Sequence, residues 1–180
     1  MRRITLFASW LVLAASAPLL AGQAPDSTRA DSARDDSASP PPAPFAPTPE
    51  QQRYLDGLRR VGRGIAQLKT AVDQAQRAAG TRDTLIQRRA YRRLGGYCSS
   101  ARSFMTGGRA QMQAVAYEDT VRIKARRLAQ RVDDIIAYTR ACETEAAGAP
   151  TKVSAELVRR LQAYEQALAD FRAAIGLPGS

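Results

Sequence analysis

The sequence predicts an all-α fold, an antiparallel (up-down-up-down) four-helix bundle with long helices. Four stretches between residues 48 and 176 repeat apolar residues at alternating spacings of three and four, a pattern that only an α-helix gathers on one face. Aromatic residues are only 6% of the chain, so its core must be mostly aliphatic, which suits packed helices better than strands. A three-helix bundle with an interrupted second element is the alternative.

Residues 1–21 have the features of a cleavable secretory signal peptide. Arg2 and Arg3 precede an apolar run from Ile4 to Leu20, and small residues follow that run. We therefore expect a periplasmic or secreted protein with no transmembrane span after cleavage. The alternative is that the apolar run is retained as an uncleaved N-terminal membrane anchor.

Residues 22–47 predict a disordered linker. They are rich in Pro, Ser, Asp and Ala, and they contain little apolar surface that could be buried. The prolines at 40–42 could instead be a short ligand for a proline-binding domain, but a spacer is the preferred interpretation. The helical bundle domain is then expected to occupy residues 48–176.

The first helix has a strong start signal. Thr48 is placed to cap it, Pro49 occupies its first turn, and Gln51 can close a capping box with Thr48. Gly80 is a suitable residue to follow its end. Its apolar seam consists of Tyr54, Leu58, Val61, Ile65, Leu68, Val72, Ala75 and Ala79.

The second helix is expected to open near Thr81 or Asp83 and to end at 106–108. The pair Gly95-Gly96 is expected to interrupt it, because glycine is a poor helix former. Residues 109–118 fit either a helix or a packed loop. The apolar seam of this helix consists of Ile86, Ala90, Leu94, Tyr97, Ala101 and Phe104.

The third helix is predicted from about Asp119 to Ala147. Its seam is unbroken and consists of Val121, Ala125, Leu128, Val132, Ile135, Thr139 and Cys142.

The fourth helix follows a turn at 148–150 and is expected to start at Ser154. Val153 and Val158 are spaced as a hydrophobic staple around that start, and Gly176 stops the helix. Its seam consists of Leu157, Leu161, Tyr164, Leu168, Phe171 and Ile175.

Cys98 and Cys142 are the only cysteines, and an exported chain favours one disulfide between them. Intermolecular pairing or free thiols are the alternatives. If the two helical hairpins were level, the cysteines would differ in height by about 17 Å. The bond therefore requires either that the first hairpin projects past the second or that the helix breaks at Gly95-Gly96.

Two basic stripes are the candidate binding surface, in a chain whose formal net charge is +10. The first stripe is expected on the side of the second helix opposite its apolar seam. An anionic envelope component, such as a lipid head group or a polysaccharide, would suit bidentate arginine contacts. The preferred interpretation of the same pattern is a solvated face that reflects Arg-rich codon usage. The stripes are Arg88, Arg89, Arg92 and Arg93 on the second helix, and Arg122, Lys124, Arg126 and Arg127 on the third.

The chain has no His, which removes Ser-His and Cys-His nucleophiles and imidazole metal ligands. The close carboxylate pairs Asp133-Asp134 and Glu143/Glu145 lie beside basic residues, so surface ion pairs are expected rather than acid–base chemistry. We therefore predict no catalytic, cofactor-binding or metal residues and no cofactor.

The sequence predicts an exported, non-enzymatic helical-bundle protein of the bacterial envelope that acts by binding or scaffolding. Its partner would be an anionic envelope component or another envelope protein, and no nucleic acid is expected for an exported chain. The alternatives are a small-ligand carrier that uses the bundle core, and an enzyme of unrecognised type. The oligomeric state is left open by the sequence.

Overall fold

The computed structural model describes residues 46–177. These residues form an all-helical bundle of four long helices and one short 3-10 turn, with no strand among them. The predicted all-α fold is confirmed, and the three-helix alternative is wrong. The proposed signal peptide and residues 22–45 of the proposed linker lie outside the described residues. The helices are α1 (Pro49–Ala79), α2 (Thr84–Arg109), α3 (Asp119–Glu145) and α4 (Pro150–Ala174), and the turn is Ala114–Ala116.

In the described part of the chain, no helix combines the length and the apolarity that crossing a bilayer requires.

The start of α1 has the predicted capping box. The Gln51 backbone N–H donates to the Thr48 hydroxyl oxygen over 3.3 Å, and the Thr48 N–H donates to the Gln51 side-chain oxygen over 3.0 Å. These bonds satisfy two backbone groups that the first turn of a helix leaves without a partner.

The face of α1 that packs against α2 is lined by small residues. A Cβ atom on Gly57 would lie 2.5 Å from the Gly108 carbonyl oxygen, and one on Gly64 would lie 2.9 Å from the Ala101 carbonyl oxygen. Both glycines are buried. They are therefore needed for the close approach of the two helices, in addition to the apolar seam that the spacing predicts.

The helix α2 is continuous through Gly95-Gly96, so the predicted interruption is wrong. Its apolar seam also differs from the prediction, because Ile86 is 49% exposed and Phe104 is 37% exposed. Leu94 and Ala101 are buried as predicted, whereas Cys98 and Met105 are buried one position after the predicted Tyr97 and Phe104. The buried residues of α2 are Leu94, Gly95, Cys98, Ala101, Met105 and Gly108.

The seam predicted for α3 is confirmed, since Val121 is half-buried against the core and all its other members are buried. The helix α4 begins at Pro150, four residues before the predicted start at Ser154, which is itself buried within the helix. Proline fits the first helical turn because its missing N–H would have no partner there.

The connection between α2 and α3 closes one end of the core. Met112 and Tyr117 are buried, and the Tyr117 ring meets Tyr54 and Phe171 edge-on at centroid distances of 5.2 and 5.3 Å. The Tyr54 hydroxyl donates to the Ala125 carbonyl oxygen over 2.8 Å. This ambiguous stretch of sequence is therefore a packed loop with one 3-10 turn.

Cys98 and Cys142 form a disulfide with a Cα–Cα distance of 6.1 Å, as predicted. Since α2 does not break, the bond requires an overhang of α2 past the end of α3. Gly95 lies against the Glu143 carbonyl oxygen, and α3 ends at Glu145. At about 1.5 Å per residue, the stretch of α2 between Thr84 and Gly95 spans about 16 Å.

Candidate functional site

The last turns of α1 and the first turns of α2, residues 74–93, form what we call the α1–α2 tip. The two helices border an open groove of about 400 Å³ in this region. Most of its lining side chains are basic, small or aliphatic. They are Gln74, Arg77, Ala78, Thr81, Ile86, Arg89, Ala90 and Arg93.

The four arginines of the first predicted stripe, at positions 88, 89, 92 and 93, lie on this tip, and all four are exposed. Within residues 46–177, none of their guanidinium groups has a carboxylate within the 4.0 Å of an ion pair. The positive charge of the first stripe is therefore available to a partner.

Primary sequence explains this charge, because there is no Asp or Glu between Asp83 and Glu118. The remaining two arginines of α2 reach carboxylates on α3. Arg102 pairs with Glu143 at 2.7 Å, and Arg109 pairs with Asp133 at 2.9 Å. Carboxylates of α3 therefore neutralise arginines only in the second half of α2.

The tip also exposes aliphatic side chains that the sequence-based prediction assigned wrongly or missed. Leu85 is 70% exposed, and Ile86 is 49% exposed. The prediction placed Ile86 on the core side, opposite the arginines. In the structure, Ile86 lines the same groove as Arg89 and Arg93, which follow it by three and seven residues and so share its helix face.

The second predicted stripe lies near the start of α3. Arg122 pairs with Asp119 at 3.0 Å, and its Nε donates to the Tyr117 carbonyl oxygen over 3.0 Å. Lys124 is half-buried, whereas the arginines at 126 and 127 are exposed. Arg122 is therefore committed to the local structure.

The two stripes are not brought together. The disulfide places Cys142, near the end of α3, beside the middle of α2. About 30 Å of helix separates Arg122 from Cys142 at about 1.5 Å per residue. A flat partner at the α1–α2 tip would leave the second stripe out of contact.

Three of the four acids in the carboxylate pairs have surface ion pairs with other described residues, as predicted. Asp134 pairs with Arg131 at 3.0 Å, and the Asp133 and Glu143 carboxylates pair with arginines of α2. Among the described residues, no group of three or more acids or cysteines is placed to hold a metal ion.

The buried tyrosines are core residues with shifted ionisation. Desolvation raises the pKa of Tyr117 and of Tyr164 to about 12, and it raises the pKa of Tyr54 as well. All three side chains are consequently neutral at physiological pH. The Tyr117 hydroxyl has no hydrogen-bond partner in the described part of the protein, whereas the Tyr54 hydroxyl has one.

No protein-family model, curated protein or solved structure matches this chain. Function is therefore inferred from the charges and exposed side chains of the described residues.

Proposed function

We propose that this is an exported, non-enzymatic helical-bundle protein of the bacterial envelope that acts by binding or scaffolding. Its α1–α2 tip would hold an anionic envelope component. The observation that carries the proposal is the set of four exposed arginines without an acidic partner, on a helix without acidic residues. The charged start, apolar run and small residues of positions 1–21 support export.

The same proposal includes the antiparallel, up-down-up-down order of the helices. Gly57 lies against Gly108 of α2. Gly64, two turns later in α1, lies against Ala101, which comes earlier in α2. Between α2 and α3, Cys98 joins Cys142 while the later α2 residue Arg109 meets an earlier α3 residue. These pairings support opposite chain directions, which would put the tip at one end of the molecule.

The surroundings of other basic residues support a partner rather than a solvated face. Elsewhere on the helices, arginines commonly have an acid three or four residues away, as in Arg53–Glu50, Arg59–Asp56 and Arg159–Glu156. Such pairs stabilise a helix, whereas like charges at the same spacing repel. The tip stripe has like charges at that spacing and no acid, so an external anion would relieve its repulsion.

Arginine chemistry suits this role. Each guanidinium presents a planar set of donors that matches the two oxygens of a phosphate or carboxylate. Four such groups on successive turns can hold several anionic groups of a surface or polymer at once. Carboxylate, phosphate and sulfate groups all fit, so the chemical class is an anionic surface or polymer.

Binding of dextran sulfate, a soluble polyanion, tests the proposal. Affinity is measured by titration calorimetry at increasing sodium chloride, and it should fall steeply because exposed charges are screened within about 8 Å at physiological ionic strength. The tip variant should lose binding but keep its helical circular dichroism, since Gln is a comparable helix former. The variant carries Arg88→Gln, Arg89→Gln, Arg92→Gln and Arg93→Gln.

A control variant with the same change in net charge separates the tip from overall basicity. It replaces exposed basic residues that have no ion pair with the described residues, and it should bind like the parent. Equal loss in both variants would mean that net charge alone drives binding. Parent-like binding by the tip variant at low salt would show a solvated face. The control carries Arg60→Gln, Arg63→Gln and Arg140→Gln, with Lys152→Gln as the fourth change in charge.

A further inference from the structure

The extreme end of the α1–α2 tip combines aliphatic side chains with arginines. Leu85 and Ile86 lie in the first turn of α2 and are 70% and 49% exposed. Single exposed aliphatic residues are ordinary on protein surfaces. Two adjacent ones at the end of a helical hairpin, beside Arg82 and Arg89, are unusual because the bundle core does not use them.

We propose that the α1–α2 tip docks end-on against an anionic lipid bilayer, with Leu85 and Ile86 in the interfacial layer and the arginines on lipid phosphates. This inference rests on the proposed function and names its partner class. The other anionic partners, polysaccharides included, become outcomes of the test.

The combination of side chains favours a bilayer over a soluble polymer. An anionic polysaccharide would satisfy the arginines but would leave Leu85 and Ile86 in water. A bilayer offers phosphates that attract basic residues and, just beneath them, an apolar layer for aliphatic side chains. Of these two partners, only the bilayer uses both features of the tip.

The spacing along α2 matches the depth of that interface. Arg89 and Arg93 follow Ile86 by about 5 Å and about 10 Å of helix rise. If Ile86 enters the boundary between head groups and acyl chains, these guanidinium groups lie at the level of the phosphates. Arginine stems are also long and apolar enough to follow the interface while the charge stays among the head groups.

The tip carries an excess of positive charge, which complements an anionic surface. Between residues 74 and 93 there are six arginines and one acid, Asp83, and only Arg77 of the six has an ion pair with a described residue, Asp73, which lies just outside this range. The Asp83 carboxylate accepts hydrogen bonds from the backbone N–H groups of Leu85 and Ile86, over 2.8 and 3.2 Å. Its negative charge is thereby partly offset by the positive end of α2. A neutral or cationic surface would gain nothing from this arrangement.

Co-sedimentation with vesicles tests the inference, using the full chain as recovered after export. Vesicles contain equal parts of phosphatidylcholine and phosphatidylglycerol, and pure phosphatidylcholine vesicles are the uncharged comparison. Leu85→Ser with Ile86→Ser should weaken binding to the anionic vesicles by about tenfold or more, from the apolar area withheld from the bilayer. Binding to dextran sulfate should be unchanged. Any apolar N-terminal residues retained are common to parent and variants.

A matched control removes exposed aliphatic residues outside the tip. Val115 and Ile123 are 76% and 66% exposed, and neither belongs to residues 74–93. Val115→Ser with Ile123→Ser should bind both vesicles and dextran sulfate like the parent. If this control loses vesicle binding as strongly as the tip variant, docking through the tip is overturned.

A fluorescence readout tests depth independently of affinity. In chains that also carry Trp10→Phe, emission from a Leu85→Trp variant should shift to shorter wavelength with anionic vesicles and stay unshifted with dextran sulfate, because only the bilayer removes the ring from water. An Ile123→Trp variant should show no shift with either. If the emission wavelength of the Leu85→Trp variant did not change with anionic vesicles, insertion of the tip would be overturned.

The outcomes separate this inference from the proposed function. If the arginine variant loses vesicle binding but the Leu85 and Ile86 variant does not, insertion is wrong and the anionic surface stands. Binding of dextran sulfate without binding of anionic vesicles would overturn the lipid assignment alone. A parent that binds neither probe would overturn both proposals.

Discussion

Alanine substitutions at two glycines of α1 should have opposite effects on stability. A Cβ atom on Gly57 would lie 2.5 Å from the backbone oxygen of Gly108 and 2.9 Å from the Cβ atom of Gln111. A Cβ atom on Gly62 would meet nothing within 4 Å. Both positions are interior to the same helix, so their intrinsic preference for alanine over glycine is the same.

The expected magnitudes follow from two opposing terms. Alanine is favoured over glycine in a helix interior by about 1 kcal/mol, which benefits both variants. At Gly57 the new methyl group is about 0.9 Å too close to a backbone atom that cannot rotate away, and overpacking of this kind costs about 1–3 kcal/mol. We expect Gly62→Ala to stabilise by about 0.5–1 kcal/mol and Gly57→Ala to destabilise by up to about 2 kcal/mol, which is the overpacking cost less the helix gain.

Urea denaturation followed by circular dichroism measures both changes with the disulfide intact. The midpoint should rise for Gly62→Ala and fall for Gly57→Ala, with similar slopes if both variants keep two-state unfolding. Gly96→Ala is a second control, because a Cβ atom there also meets nothing within 4 Å. If Gly57→Ala proved as stable as Gly62→Ala, the close contact between α1 and α2 would be refuted.

Two further predictions concern the disulfide and the aromatic cluster. Replacing Cys98 and Cys142 by alanine should lower the free energy of unfolding by about 4 kcal/mol, the chain-entropy value for their separation of 44 residues; guanidinium denaturation of the variant beside the oxidised parent measures this, and a loss below about 1 kcal/mol would contradict it. Tyr54→Phe should destabilise by about 1 kcal/mol because a buried hydrogen bond to the Ala125 carbonyl is lost, whereas Tyr117→Phe should be neutral or stabilising because its hydroxyl has no partner among the described residues. Thermal and urea unfolding compare the two tyrosine variants, and an equal loss in both would contradict the assigned hydrogen bond.

The sequence predicted the features whose causes lie within a few residues of each other. The capping box joins Thr48 to Gln51, three residues later, and no other helix is needed for it. The α3 seam is equally local, since one helix face is set by spacing alone. The disulfide between Cys98 and Cys142 was predicted from the expectation of export, because two cysteines in an exported chain favour pairing.

Tertiary contacts decided the points that the sequence-based predictions missed. Glycine is a poor helix former, but the backbone of Gly57 lies against that of Gly108, 51 positions away in the chain, where a larger residue would not fit. Pro150 was assigned to a turn, although it lies in the first turn of α4. Proline suits a turn and the start of a helix equally well, so its local preference does not separate the two.

The candidate site divides in the same way. Sequence alone determined that α2 carries a basic stripe and no acid, because residue type and spacing are local properties. It could not tell that Ile86 is half exposed while Leu94, at the same kind of seam position, is fully buried. Burial depends on which neighbouring helix lies beside each turn of α2. The Cys98–Cys142 bond holds the end of α3 beside Gly95, so the turns of α2 before Gly95 lack α3 as a neighbour. Only the tertiary structure therefore placed an apolar residue among the arginines of the tip.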